Sequence, residues 1–171
     1  LLTDLSLRAR ETVHLGILDG WEVLHIGRAE SPERVGVASR IGSRGWAHTS
    51  GLGKALLAGQ PDAFLQRYID ETGLPAMTEH AISTPAALWA EIERVRRQGF
   101  ALDNEEDAIG VRCLGTTLPS AGGGALLAIS VSGPSPRFTF ERACEFAPIL
   151  LECVRGAHVH YDLPAIIATA S

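Results

Sequence analysis

The chain has 171 residues, 46% hydrophobic and 20% charged, which fits one ordinary soluble domain with a real core and excludes a disordered or fibrous chain. A net charge of −5, with Lys54 the one lysine, argues against this chain itself gripping nucleic acid, and no apolar run approaches the roughly 18 residues of a membrane span. Cys113, Cys144 and Cys153 are odd in number and lack CxxC spacing, which suits a reducing cytoplasm better than a disulfide scaffold.

Leu2, Leu5 and Ala9 fall at helical spacing with neither cap nor methionine ahead of them. Residues 1–10 therefore read as the end of a linker helix from a larger protein, and 11–171 as one domain. Thr12–Leu18 alternates, with Val13, Leu15 and Ile17 on one face of a strand. Asp19-Gly20 is a hairpin signal, and Glu22–Ala29 is the returning strand. Val35–Ile41 predicts a third strand, followed by a loop over Gly42-Ser43-Arg44-Gly45. A glycine-led helix follows Ser50, and Pro61-Asp62 starts another. Pro85 opens a third, with Leu88, Ile92 and Val95 as its buried stripe and Gly99 as its stop. Phe100–Asp103 and Ile109–Leu118 read as strands around the acidic turn Asn104-Glu105-Glu106-Asp107. Gly122-Gly123-Gly124 is a hairpin loop, Ala125–Ser132 a buried strand, and Thr139 caps a last helix running to about His160 with Pro148 inside it. Hairpins alternating with helices indicate an α+β fold, an antiparallel sheet with helices packed on it.

The stretch SGLGKALLAG, residues 50–59, looks like a phosphate loop and fails the test. A P-loop needs a glycine five residues before Gly53, where His48 stands, and Ser or Thr after Lys54, where Ala55 stands; the dinucleotide fingerprint fails at Leu56. What remains is a Ser50-capped helix whose first N–H groups attract an anion, or simply a capped helix whose glycines allow close packing.

Three segments in order and spacing carry a resemblance: IGSRGWAHTSGLGKALLA (41–58), GFALDNEEDAIGVRCLGTTL (99–118) and ALLAISVSGPSPRFT (125–139). Together they resemble the C-terminal effector-binding domain of the IclR family of bacterial transcription regulators, and the opening ARETVHLGILDGWEVLHIGRAES is similar to that domain's entry helix and first hairpin. The resemblance spans essentially the whole chain. It implies a GAF/PAS-like sheet, a small organic or aromatic acid as effector, no cofactor, self-association as dimer or tetramer, and DNA contacts only through an N-terminal winged helix-turn-helix absent from this chain.

Carried over by motif, the effector site falls on the amides of Gly51 and Leu52 at the helix start, with Asp103, Val111, Cys113, Ser130 and Ser132 on the sheet and Val37, Gly45 and Trp46 on the lid side. A carboxylate suits the positive helix end. The spacing of Ser130 and Ser132 puts both hydroxyls on one sheet face. Each residue also has a plainer role. Asp103 could be a turn residue, Cys113 a small core residue, the serines partners for backbone groups, and Trp46 a core plug. The family pattern has a proline where Trp46 stands, followed by a small apolar residue (here Ala47) and His48, and often a larger apolar residue where Gly45 stands. Gly45 makes room and Trp46 adds a flat surface with one N–H, which together hint at a larger or aromatic effector. Glu105, Glu106 and Asp107 read as a solvated acidic turn, with Glu106 as a partner for the backbone.

Other classes are weaker. A Cys113 nucleophile would need a base, yet neither of its segments holds a histidine and no G-x-S-x-G occurs. His14, His25, His48, His80, His158 and His160 show no H-x-x-x-H spacing, and His158 and His160 on a helix would face apart; a zinc on Cys113 and Asp103, or a purely oligomerising module, are the remaining alternatives.

Overall fold

Alternation of apolar and polar side chains over Thr12–Asp19 gives β1, and the tight turn at Gly20, whose φ of 63° favours glycine, returns the chain as β2 (Glu22–Ala29). The computed structural model describes residues 1–118, 126–155 and 157. With β3 (Arg44–Trp46), β4 (Ala101–Asn104), β5 (Val111–Leu118) and β6 (Leu127–Pro134) they form one six-stranded sheet in the order β3-β2-β1-β6-β5-β4, every neighbouring pair antiparallel. The helices are α1 (Leu2–Ala9), α2 (Gly51–Ala58), α3 (Asp62–Thr72), α4 (Pro85–Gln98) and α5 (Phe140–Arg155).

Period-two alternation divides the strands between two cores. Val13 and Ile17 of β1, Leu114 and Leu118 of β5, and Ile129 and Val131 of β6 pack with Leu5 and Ala9 of α1 and with Phe146 and Leu150 of α5. The opposite face meets α2, α3 and α4 through Leu52, Leu56, Leu65, Tyr68, Leu88 and Ile92. Each such side chain, fully buried, contributes about 1.5–3 kcal/mol.

Small residues let α2 lie directly on the sheet. A Cβ on Gly115 would overlap the Gly51 carbonyl and sit 2.8 Å from the Leu52 nitrogen, and one on Gly16 would meet Leu52 Cδ2 at 2.6 Å. Ser50 caps the helix, its Oγ accepting from the Gly53 amide at 3.0 Å. These two facts fix where the start of α2 sits: over β5, above Cys113, whose carbonyl lies 3.0 Å from a Cβ built on Gly51.

Sequence expectations and structure part in several places. Val35–Ile41 is not a strand; Val35 and Ile41 are 64% and 65% exposed, and the edge of β2 is taken instead by Arg44–Trp46, whose first two residues fall in the segment read as a loop. Alternation alone cannot make a strand where no ladder partner stands alongside. Strand β4 starts at Ala101 rather than Phe100. Strand β5 starts at Val111 rather than Ile109, because a turn closed by Val111 N–H to the Ala108 carbonyl (3.1 Å) comes first. The Thr139 cap is present, accepting from the Arg142 amide at 3.2 Å, and α5 continues through Pro148. The Gly122–Gly124 loop, the end of the last helix and the His158/His160 pair lie outside the described residues.

Candidate ligand-binding site

On the α2 side, strand register gathers polar residues from distant parts of the chain into two cross-strand rows. Asp103 pairs with Cys113, Cys113 with Ser132, and Ser132 with Thr12. In the next row Gly115 pairs with Ser130, Ser130 with His14, and His14 with Arg28. Directly opposed residues share a face. The rows therefore form a continuous polar floor beside the start of α2; in the row beyond them that face carries Gly16 and Ala128 with His25 and Thr117 at its two ends. Above it the segment Gly36–Arg40 and strand β3 enclose a cavity of about 650 Å³.

Among the residues assigned from the sequence, Val37, Gly45, Trp46 and Val111 line this cavity, together with Ser50 at the start of α2. Gly45 does make room there, since a Cβ on it would meet nothing within 4 Å. Trp46 is half-buried on β3. Cys113 and Ser132 do not line it; each is 5% exposed, and they are joined by a 3.2 Å hydrogen bond from Ser132 Oγ to Cys113 Sγ. Asp103 and Ser130 are buried deeper, at 1% exposure, and Gly51 and Leu52 are also buried. Four of the ten residues thus line the cavity, and the other six, Gly51, Leu52, Asp103, Cys113, Ser130 and Ser132, are buried and are not part of its lining.

Burial sets the electrostatics of the floor. It pushes the Asp103 carboxyl up to about 7, although its Oδ1 accepts the Glu106 amide at 2.7 Å. Burial likewise pushes the Cys113 thiol up to about 11, with Ser132, Ser130 and the Leu52 amide partly opposing the rise. A thiol so placed is no nucleophile at neutral pH. His14 is lowered to about 3, first by burial and then by His25 and Arg28, and burial also lowers His25. Both imidazoles are therefore neutral at physiological pH.

The acidic turn needs a correction. Glu106 is buried, not solvated, and its carboxylate accepts from Lys54 Nζ at 2.6 Å; Lys54 also meets Glu91 at 3.1 Å. Lys54 is fully buried in this network, which ties α2 to α4 and to the β4–β5 turn, so its ammonium is not directed at a ligand. Asp107 is exposed and accepts from Thr49 Oγ1 at 2.8 Å, while Glu105 Oε2 accepts the Gly110 amide at 2.7 Å. His48 is likewise a core residue, bonded to Tyr68 Oη at 2.7 Å and the Pro75 carbonyl at 3.1 Å.

Sequence reasoning missed His14, His25, Arg28 and Ser39. His14 Nε2 bonds Ser39 Oγ of the covering segment, and Nδ1 lies 3.4 Å from Ser132 Oγ. His25 lines the cavity, its ring edge-on to that of His14 at 5.3 Å. One signal was available: a histidine between Val13 and Leu15 occupies the non-core face of a strand, and such a residue is informative once that face is known to be covered. Among the described residues no group of three or more His, Cys, Asp or Glu side chains comes together as a metal site, so Cys113 and Asp103 have no third ligand of those types. No described helix is long and apolar enough to cross a membrane. A second cleft of about 640 Å³, lined by Leu18, Trp21, Gln60 and Phe64 among others, lies at the other end of α2 and lacks a polar floor of this kind.

Comparison with known proteins gives a consistent answer. Residues 1–158 match the family model for the bacterial transcriptional regulator IclR, C-terminal. The HTH-type transcriptional regulator BhcR of Paracoccus denitrificans is 38% identical over 155 residues, covering 91% of this chain and 56% of that protein, so this chain spans about half the length of such a relative. The crystal structure of Thermotoga maritima IclR superposes with a TM-score of 0.83 at 33% identity, over 90% of this chain and 62% of that one. A double mutant of the PobR inducer-binding domain from Acinetobacter, in complex with 3-hydroxybenzoic acid, shares the fold at 23% identity, with a TM-score of 0.79 over 90% of this chain and 89% of that one. These relatives are transcription factors rather than enzymes, and the chain belongs to the IclR C-terminal family of bacterial transcriptional regulators.

Proposed function

We propose that this chain is the ligand-sensing part of a DNA-binding regulator, taking a small carboxylate or aromatic acid between the start of α2 and the polar floor. The observation that carries this reading is the join between the helix start and that floor. Ser50 occupies the Gly53 and Lys54 amides, which leaves the first-turn N–H groups of Gly51 and of Leu52, the latter set against the Cys113 thiol, beside Ser130 and Ser132. A carboxylate there gains hydrogen bonds and about 0.3–2 kcal/mol from the helix end. Val37, Gly45, Trp46 and Val111 supply the apolar enclosure, and the hydroxybenzoic acid bound by the PobR domain is an acid of the size expected.

The DNA-reading part lies in sequence that precedes residue 1 of this chain, with residues 1–10 as the tail of the connecting helix, and the whole regulator acts as a cytoplasmic dimer or tetramer. Ligand binding changes how the segment over the cup packs on the sheet and so how paired domains present their DNA-binding partners, provided the ligand binds the two states with different affinity.

A thermal-shift screen of mono- and dicarboxylates and aromatic acids tests this, repeated on Ser130→Ala and Asp103→Asn. A ligand at about 100 times its Kd stabilises the fold by about 2.7 kcal/mol. For a chain of this size that is a shift of roughly 5–11 °C. One acid class should produce it, and both variants should lose it relative to their own baselines. Silence across the whole screen from a folded oligomer would sink the sensor reading in favour of a scaffold.

A further inference from the structure

The orientation of His25 narrows the ligand class within the cup, and this step rests on the sensing role just proposed. His25 Nδ1 lies 3.2 Å from the Ser43 carbonyl oxygen. A carbonyl only accepts, so the ring hydrogen sits on Nδ1 and Nε2 carries a lone pair. That Nε2 has no hydrogen-bond partner among the described residues, and the ring lines the same cavity as Ser50 at the start of α2.

His14 repeats the pattern one strand away. Ser132 donates its hydrogen to Cys113 Sγ, so its oxygen is left to accept from His14 Nδ1, and His14 Nε2 accepts from Ser39 Oγ. Two edge-on imidazoles thus turn acceptor nitrogens towards the cavity and the segment that covers it. Arg28 lies next to His14 in the same cross-strand row. Its positive charge disfavours a second proton on the neighbouring ring and keeps the lone pair available. The Arg28 guanidinium itself is only loosely engaged, 3.4 Å from the Val37 carbonyl and 3.3 Å from the exposed Glu30.

We propose that His25, with His14 behind it, is a hydroxyl-recognising subsite, and that the ligand is a hydroxy acid whose carboxylate meets the α2 start while its O–H donates to His25 Nε2. A neutral imidazole held by a backbone carbonyl discriminates sharply: a ligand without the hydroxyl covers the acceptor and leaves it unpaired, and a ligand with an ether oxygen sets two acceptors against each other.

Isothermal titration of the 171-residue chain with matched acids tests the assignment. The probes are 3- and 4-hydroxybenzoate against benzoate and the corresponding methoxybenzoates, and 4-hydroxybutyrate against butyrate. At least one hydroxy acid should bind tenfold or more tighter than its parent acid, and its methoxy analogue should show no such gain. His25→Leu should bring each pair within about threefold, whereas the exposed substitution Arg97→Gln should preserve the preference. Equal affinity for hydroxy and parent acids, methoxy analogues binding as tightly as hydroxy acids, or a preference that survives His25→Leu would each overturn the subsite alone. Failure of every acid to bind would overturn the subsite and the sensing role together.

Discussion

Replacing Asp103 by asparagine should stabilise this protein above neutral pH, although it alters a polar residue in the middle of the candidate site. Asp103 is 1% exposed, and Oδ1 receives the Glu106 amide at 2.7 Å, a bond that an asparagine side chain can keep. The nearest ammonium, Lys54, is committed to Glu106 and Glu91. Burial holds the folded-state carboxyl at about 7, against about 3.9 in an unfolded chain. Between those values the fold keeps a proton that the unfolded chain has lost, so stability declines as pH rises. At about 1.4 kcal/mol per pH unit over roughly three units, the full loss is about 4 kcal/mol, complete above pH 7. The side-chain amide of the variant does not titrate and escapes that loss.

Urea denaturation of parent and variant from pH 4 to pH 8 measures the difference directly. The gap should be smallest near pH 4, open through pH 7 and then level off, with the same m-value in both proteins. Any fixed cost of the amide's N–H groups displaces the whole curve and leaves its slope untouched. A gap that stays flat from pH 4 to pH 8 would refute the reasoning.

Three further outcomes follow from the same geometry. Gly115→Ala should cost about 1–3 kcal/mol and weaken acid binding, because its Cβ overlaps the Gly51 carbonyl and lifts the start of α2, whereas Gly45→Ala, with nothing within 4 Å, should change stability by less than about 0.5 kcal/mol; equal effects in thermal unfolding would contradict this account of α2. Lys54→Met should cost about 3–5 kcal/mol by leaving Glu106 buried without its cation, whereas Glu91 keeps Arg94, and adding Glu106→Gln should recover part of that loss, as denaturation midpoints will show. Cys113, with its thiol near 11 and 5% exposure, should stay unmodified by a disulfide reagent at pH 8 while half-buried Cys144 and Cys153 react; rapid labelling in a Cys144→Ser, Cys153→Ser variant would reopen a nucleophilic role.

Much of this protein was legible in its sequence because the determinants are local. Alternation marked β1, the Asp19-Gly20 turn marked β2, the Ser50 cap marked α2, and Pro85 and Gly99 bracketed α4, since turns, capping and side-chain period act over a few residues. Motif order carried the family and named Cys113, Ser130 and Ser132, and strand register then set them in adjoining rows. What the sequence could not decide were facts of long range. Whether Val35–Ile41 or Arg44–Trp46 takes the edge of β2 depends on which segment reaches a partner, and Glu106 turns inward because Lys54 waits 52 residues away. His14 and His25 belong to the cup only because α2 and the 36–45 segment cover that face of the sheet. A residue's own chemistry is written in the chain, but its burial and partners are fixed by what packs over it, and only the tertiary structure decides that.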